Sequence, residues 1–121
     1  MLNLDTHILL AAVDGKLRPS EEALLRDDFW SFADIVLWEI AWLHRESRIS
    51  ISLDHPGLSR AIRDATVWPV SREVGKALAL LDFRSDPADE LVAATSIAHD
   101  IPLLTRDMRI LGSKVVPLAL R

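Results

Sequence analysis

Short apolar segments alternate with longer helical patterns along this chain, and the alternation restricts its fold more than any other feature. Strands that alternate with helices pair in parallel, because each connecting helix returns the chain to the same edge of the sheet. The order predicts an α/β fold, a three-layer α/β/α sandwich around a mostly parallel sheet of four or five strands. The segments typical of buried strands span residues 1–4, 29–32, 66–70, 103–105 and 115–118.

The length of 121 residues matches one ordinary domain, and half of the residues are apolar, so they can form one sizeable core. We therefore expect a single domain over residues 1–121. The segment 49–53, ISISL, alternates apolar and polar residues. It is either a further short strand or an extended connection.

Composition and charge exclude several classes of protein. The chain has no cysteine, which removes disulfides and thiolate metal sites and fits a reducing compartment. Its formal charge of −4 excludes general electrostatic binding of nucleic acid. The apolar start reads as a strand and not as a signal peptide, since Asp5 and His7 interrupt it. No window reaches the roughly 18 apolar residues that span a bilayer, so we expect a cytoplasmic protein without membrane contact.

Five acids follow the predicted strands in positions where they can meet. Asp5 comes directly after the first strand, and Asp107 follows the strand 103–105 in a similar way. Glu39 lies about one turn into the helix after the second strand, and Asp86 and Asp89 lie at the start of a later helix. Because functional side chains of open parallel sheets gather at the carboxyl ends of the strands, these acids can face one crevice.

Carboxylates crowded in this way repel one another and raise each other's pKa, so a cation or a shared proton is needed to stabilise them. Oxygen ligands without cysteine or histidine suit Mg²⁺ or Mn²⁺. Two such ions about 3.5–4 Å apart can activate water and stabilise the leaving oxygen of a phosphodiester. The crevice therefore suits a phosphate backbone.

Four segments together resemble the signature blocks of a known family. They read LDTHILL at 4–10, LWEIAWL at 37–43, DPADELVAATSIA at 86–98 and PLLTRD at 102–107. In this order they resemble a PIN domain, and more narrowly the VapC-type toxins of bacterial type II toxin–antitoxin systems. Each block alone is weakly specific, whereas the four together, extending over nearly the whole chain, are fairly specific.

The resemblance implies a metal-dependent endoribonuclease that cuts structured RNA, such as tRNA or rRNA, at an acidic site holding Mg²⁺ or Mn²⁺. By block, Asp5 matches the first acid of the family, Glu39 the second, Asp89 the third and Asp107 the fourth. These four are implied to bind the metal and to be catalytic. Asp86 matches an extra acid of a DPxD subtype and is a candidate further ligand. The family also implies a VapB-like antitoxin and a homodimer.

Each acid has a purely structural alternative. Asp5 and Asp107 could serve only as helix caps, although capping does not explain why an aspartate recurs at the end of two strands. Asp86 and Asp89 could simply favour the helix N-terminus, where the helix dipole stabilises acids by up to about 1 kcal/mol. We expect Asp86 to cap its helix and also to assist Asp89.

Other side chains are candidates for contact with substrate or partner. Thr6 and Thr105 could offer hydroxyls to the acids, although threonines at strand ends more often bond the local backbone. Arg106 is a candidate phosphate contact. Trp38 and Trp42 are four residues apart and share a helix face, which predicts that they stack. Core packing is the default for this pair, and a self-association or antitoxin surface is the alternative.

Two rival functions remain open from the sequence. The first is a catalytically inactive PIN-fold binding module, against which the four intact acids argue. The second is a receiver-like phosphoacceptor, since receivers also place acids and Mg²⁺ at strand ends. Receivers use an acidic pair after the first strand and a lysine after a late one, whereas Asp5 stands alone and Lys114 precedes its predicted strand.

Overall fold

The computed structural model describes all residues, 1–121. Four strands alternate with seven α-helices, and a short 3₁₀ helix, Leu78–Leu80, follows α5. The elements in chain order are β1 (Leu2–Leu4), α1 (Thr6–Val13), α2 (Pro19–Arg26), β2 (Trp30–Ala33), α3 (Ile35–Arg45), α4 (Pro56–Asp64), β3 (Thr66–Trp68), α5 (Arg72–Ala77), α6 (Pro87–His99), β4 (Leu103–Leu104) and α7 (Met108–Leu111).

The strands form one sheet in the order β3-β2-β1-β4, and every pair is parallel. The predicted α/β sandwich with a parallel sheet of four or five strands is thereby confirmed, with four strands. Segment 49–53 is an extended connection and not a strand. Segment 115–118 is reduced to an isolated parallel bridge between Leu103 and Leu118. The hydroxyl of Ser113 accepts from the backbone N–H groups of residues 115 and 116. These two groups therefore do not donate to a neighbouring strand.

The core lies between the sheet and its helices and draws on almost every element. Each of the four strands is too short to be stable alone, so helix packing over the sheet supplies most of the buried apolar area. No helix is both long and apolar enough to cross a bilayer. The largest fully buried side chains are those of Phe32, Leu4, Ile8, Leu9, Ile40, Leu58, Leu103, Leu104, Ile110, Val36, Val74 and Val92.

The strand order places a topological switch point between β1 and β4. The chain builds the sheet outward from β1 through β2 to β3, and then returns to add β4 on the other side of β1. Leu4 pairs with Leu104, so the residues that follow, Asp5 and Thr105, leave the sheet side by side. Crevices at such switch points, outside the carboxyl ends of the strands, are where open α/β sheets bind ligands.

Candidate functional site

Asp5 lies at the centre of the crevice and is almost fully buried, with 2% of its surface exposed. It is the N-cap of α1: its Oδ1 accepts from the Thr6 backbone N–H at 2.8 Å. Its Oδ2 accepts from the Thr105 hydroxyl at 2.6 Å. Burial raises the pKa of Asp5, and the hydrogen bonds from Thr105 and Thr6 oppose that shift. The capping role and a place in the acidic cluster therefore coexist.

Glu39 points from the middle of α3 into the same crevice and is partly buried. The hydroxyl of Thr6 donates to its Oε2 at 3.4 Å, a long contact. Burial raises the pKa of Glu39, and the negative charges of Asp89 and Asp5 raise it further. Glu39 is thus held near two other acids, and only His7 and the hydrogen bond from Thr6 oppose the rise in its pKa.

Asp89 lies in the first turn of α6 and completes the facing wall. The hydroxyl of Ser85 donates to its Oδ2 at 3.1 Å. Burial raises the pKa of Asp89, and the charges of Asp5, Asp107 and Asp86 add to the rise. Asp86 occupies the N-cap position of α6, but its exposed side chain caps no backbone N–H. The predicted N-cap position of Asp86 is confirmed, although the carboxylate itself makes no capping hydrogen bond.

Asp107 caps α7, since its Oδ1 accepts from the backbone N–H groups of residues 109 and 110. Its own backbone N–H donates to the Thr105 hydroxyl at 3.0 Å. Thr105 therefore links Asp107 to Asp5. This agrees with the prediction that its hydroxyl could bond the acids. Arg106, between them, makes an ion pair with the buried Glu21. The guanidinium predicted to contact a phosphate is therefore already paired with the carboxylate of Glu21.

The four acids Asp5, Glu39, Asp89 and Asp107 come together from four elements. Asp5 and Asp89 raise the pKa of Glu39, Asp5 and Asp107 raise that of Asp89, and Asp107 raises that of Asp5. Carboxylate oxygens are the donors that hard divalent cations prefer, and a cluster with unbalanced negative charge gains most from such an ion. No three acidic or histidine side chains lie close enough to enclose an ion in this arrangement. The donor chemistry of the cluster is that of a hard divalent cation site.

Two adjoining depressions open beside the acids. One, of about 510 Å³, is lined by Glu39 and Asp89 together with Trp38 and Trp42. The other, of about 680 Å³, reaches Asp107. His7 and Arg48 line both, so they form the boundary between the two depressions.

Trp38 and Trp42 stack as predicted, with ring centroids 6.4 Å apart and planes inclined by 20°. The interpretation that both belong to the core is wrong, because 56% of the Trp38 surface is exposed. Trp38 and Trp42 lie on the side of α3 opposite its buried residues Val36 and Ile40.

Three residues that support the site were missed from the sequence. Asn3 is fully buried in β1, and its Nδ2 donates to Ser96 Oγ of α6 at 2.8 Å. This bond fixes the helix that carries Asp89 against the strand that precedes Asp5. Ser85, which bonds Asp89, and Glu21, which bonds Arg106, lie at predicted helix starts, where the local pattern does not show these contacts. Only tertiary contacts give these polar residues a role.

Comparison with known proteins decides the family. The family model described as PIN domain matches residues 3–112, which include all four acids. The chain belongs to the PIN-domain family. This PIN domain is also 30% identical, over 95 residues, to ribonuclease VapC22 of Mycobacterium tuberculosis (strain ATCC 25618 / H37Rv). The aligned region covers 75% of this chain and 72% of that protein. The predicted resemblance to a PIN domain of the VapC kind is confirmed, and the receiver-like alternative is set aside.

Solved structures agree on the fold of this PIN domain. It superposes on VapBC2 of Rickettsia felis bound to a promoter DNA fragment with a TM-score of 0.72 and 18% identity, covering 100% of this chain and 98% of that one. A toxin–antitoxin complex from Klebsiella pneumoniae gives 0.69 at 16% identity, covering 93% and 91%. FitAcB from Neisseria gonorrhoeae gives 0.65 at 17% identity, covering 91% and 90%.

Proposed function

We propose that this PIN domain is a Mg²⁺- or Mn²⁺-dependent endoribonuclease, the toxin of a VapBC-type pair, which hydrolyses phosphodiester bonds in structured RNA such as tRNA or rRNA. The observation that carries the proposal is the convergence of four carboxylates at the β1/β4 switch point, none of which makes an ion pair with a lysine or an arginine. The 30% identity to a protein named ribonuclease VapC22 supports the reaction class.

Asp5, Glu39, Asp89 and Asp107 would hold the metal, with Asp86 at the margin. A divalent ion there makes water a stronger nucleophile and stabilises the charge that develops on the phosphate oxygens. The remaining residues keep the acids in place. Thr105 fixes one oxygen of Asp5, Thr6 contacts Glu39, and Ser85 orients Asp89. Such supporting bonds matter because misplacement of a ligand by about 1 Å lowers catalysis about a hundredfold.

The test is cleavage of RNA by the purified protein with Mg²⁺, with Mn²⁺ or with EDTA, followed by sequencing of the new RNA ends. Asp5→Asn is the decisive variant, because asparagine removes the charge, keeps one oxygen that accepts from the Thr6 N–H, and presents an NH₂ donor to the Thr105 hydroxyl. We expect activity only with metal and a loss of at least about a hundredfold in the variant, on the scale of other catalytic groups. Equal activity of Asp5→Asn would contradict the proposal and favour an inactive binding module.

We further propose a VapB-like antitoxin as partner, supported by the similarity in fold to toxin–antitoxin complexes, and a homodimer. Co-expression with the adjacent reading frame, co-purification and measurement of the mass of the complex test both. Inhibition of RNA cleavage on addition of the partner is expected. A monomer in solution would remove the homodimer alone.

A further inference from the structure

Trp38 and Trp42 line the depression beside Glu39 and Asp89, and they have no role in the proposed cleavage. We propose that Trp38, Trp42 and Arg48 form a stacking site for an unpaired base of the RNA strand whose phosphate lies at the acids. The inference rests on the proposed function for its ligand, and it adds a part of the site that selects unpaired nucleotides. We call these three residues the stacking wall.

The two indole rings are placed for a planar ligand. Trp38 and Trp42 stand on successive turns of α3, on both sides of Glu39, and their rings are nearly parallel. Along the helix axis Trp42 lies about 4.5 Å beyond Glu39, at the usual rise of about 1.5 Å per residue. A base that contacts the indoles therefore lies next to a carboxylate of the acidic cluster. Exposed tryptophans that no core contact explains are typical of binding surfaces.

Arg48 adds a positive charge to this wall. The end of α3 forms a Schellman motif, in which the N–H of Arg48 donates to Leu43 O at 2.9 Å and that of Ser47 to His44 O at 3.0 Å. Ser47 adopts a positive φ of 57°, which turns the chain back along the helix. The Arg48 guanidinium consequently lies over Trp42, 5.2 Å from the ring centroid.

The Arg48 guanidinium is available to a phosphate, since no carboxylate pairs with it among the ion pairs of the protein. It lines both depressions and therefore stands where a strand would pass from one to the other. A cation beside stacked aromatic rings is the combination that single-stranded nucleic acid sites use: the rings hold bases and the cation holds the backbone.

The size of the depression suits a ligand as large as one nucleotide. Its volume of about 510 Å³ lies within the range for small-molecule sites. A paired base is stacked on its neighbours and shielded in the helix, so only an unpaired or extruded base can reach the indoles. Because every base has a flat face, the wall would favour unpaired nucleotides without strict sequence choice.

The experiment measures binding of a labelled single-stranded oligoadenylate and of an abasic strand of equal length, by fluorescence anisotropy. The parent is the native full chain with Ca²⁺ in place of Mg²⁺, an ion that carboxylates also hold, and a gel confirms that the strand stays intact. Trp38→Leu and Trp42→Leu test the wall. Phe29→Leu is the matched control, because Phe29 is an exposed aromatic residue, 77% exposed, that lines a different depression.

We expect either tryptophan variant to bind oligoadenylate about tenfold more weakly, from the usual loss per stacked base, with Phe29→Leu unchanged. The abasic strand should bind the parent and the variants equally. Equal affinity of the parent for both strands would overturn the inference, and this comparison does not depend on any tryptophan variant folding. A change of oligomeric state in Trp38→Leu with unaltered RNA binding would also overturn it and assign the wall to self-association.

The outcomes separate this inference from the proposed function. Cleavage by the chain with native Asp5, together with equal binding of intact and abasic strands, would leave the ribonuclease proposal standing and remove the stacking wall. Base-dependent binding without any cleavage would support the wall and contradict the ribonuclease proposal.

Discussion

At the scale of single residues, Asp5 and Glu39 occupy environments that oppose their ionisation. A bound cation would stabilise their ionised forms. Burial raises the pKa of both, and the charges of Asp89 and Asp5 raise the pKa of Glu39 further. A group with a raised pKa binds its proton more tightly in the folded than in the unfolded protein. Its ionised form therefore lowers the stability of the fold.

Glu39→Gln should raise the stability of the metal-free protein at neutral pH, because glutamine removes the charge and keeps an acceptor for Thr6. The gain is complete above the raised pKa of folded Glu39 and disappears as the pH falls towards the ordinary value of 4.5. Urea titrations at a series of pH values measure it. The exposed Glu73→Gln serves as control and should shift stability by no more than about 0.5 kcal/mol. A stability difference between Glu39→Gln and native protein that does not change with pH would contradict the assignment.

At the scale of elements, the turn that ends α3 holds the backbone of Ser47 in a conformation that is unfavourable for a residue with a Cβ. Ser47 has a φ of 57°, where a residue with Cβ costs about 1–2 kcal/mol and glycine is the usual choice. Ser47→Gly should therefore raise stability by about 1 kcal/mol, measured by thermal unfolding. Gly15→Ala is the converse control, since Gly15 has a φ of 70° and alanine there should lower stability by a similar amount.

A second element-scale prediction concerns the pair that joins α2 to the loop after β4. Glu21 is buried and accepts from Arg106 at 2.6 and 2.8 Å as well as from the Arg18 backbone N–H at 2.8 Å. Glu21→Ala leaves these donors without their acceptor and should cost about 2–3 kcal/mol. The exposed pair of Arg63 with Asp64 is the control, because Arg63→Ala should cost less than about 1 kcal/mol. Equal costs in chemical denaturation would show that burial of the Glu21 pair contributes nothing.

At the scale of the whole molecule, metal binding should stabilise the chain, because a cation relieves repulsion that only the folded state creates. Unfolding should occur in one cooperative transition, as expected for a single domain. At about a hundred times its dissociation constant, Mn²⁺ should add about 2.7 kcal/mol, or roughly 10 °C in Tm. Calorimetry with and without Mn²⁺ measures the shift, and Asp5→Asn should lose most of it. A shift retained in full by that variant would place the ion elsewhere.

Local sequence patterns predict the structure correctly in some segments of the chain and wrongly in others. The strands at 1–4 and 103–105 were predicted from short apolar runs that end at polar residues, a local pattern that the register of β1 with β4 preserves. Segment 115–118 has the same apolar character, yet it makes only an isolated bridge because the Ser113 hydroxyl occupies its backbone donors. Trp38 has the spacing of a core residue, but spacing shows which face is shared and not what covers that face.

The sequence by itself determined the alternation of strands and helices, the parallel sheet and the positions of four acids in the turns and helices that follow the strands, because these depend on periodicity and local turns. Tertiary structure alone decided that Thr105 bonds Asp5, that Arg106 turns to Glu21 and that Trp38 remains exposed. Such pairings join residues as many as 100 positions apart. Which donor meets which acceptor is set by the strand order and by helix packing, so no local pattern records it.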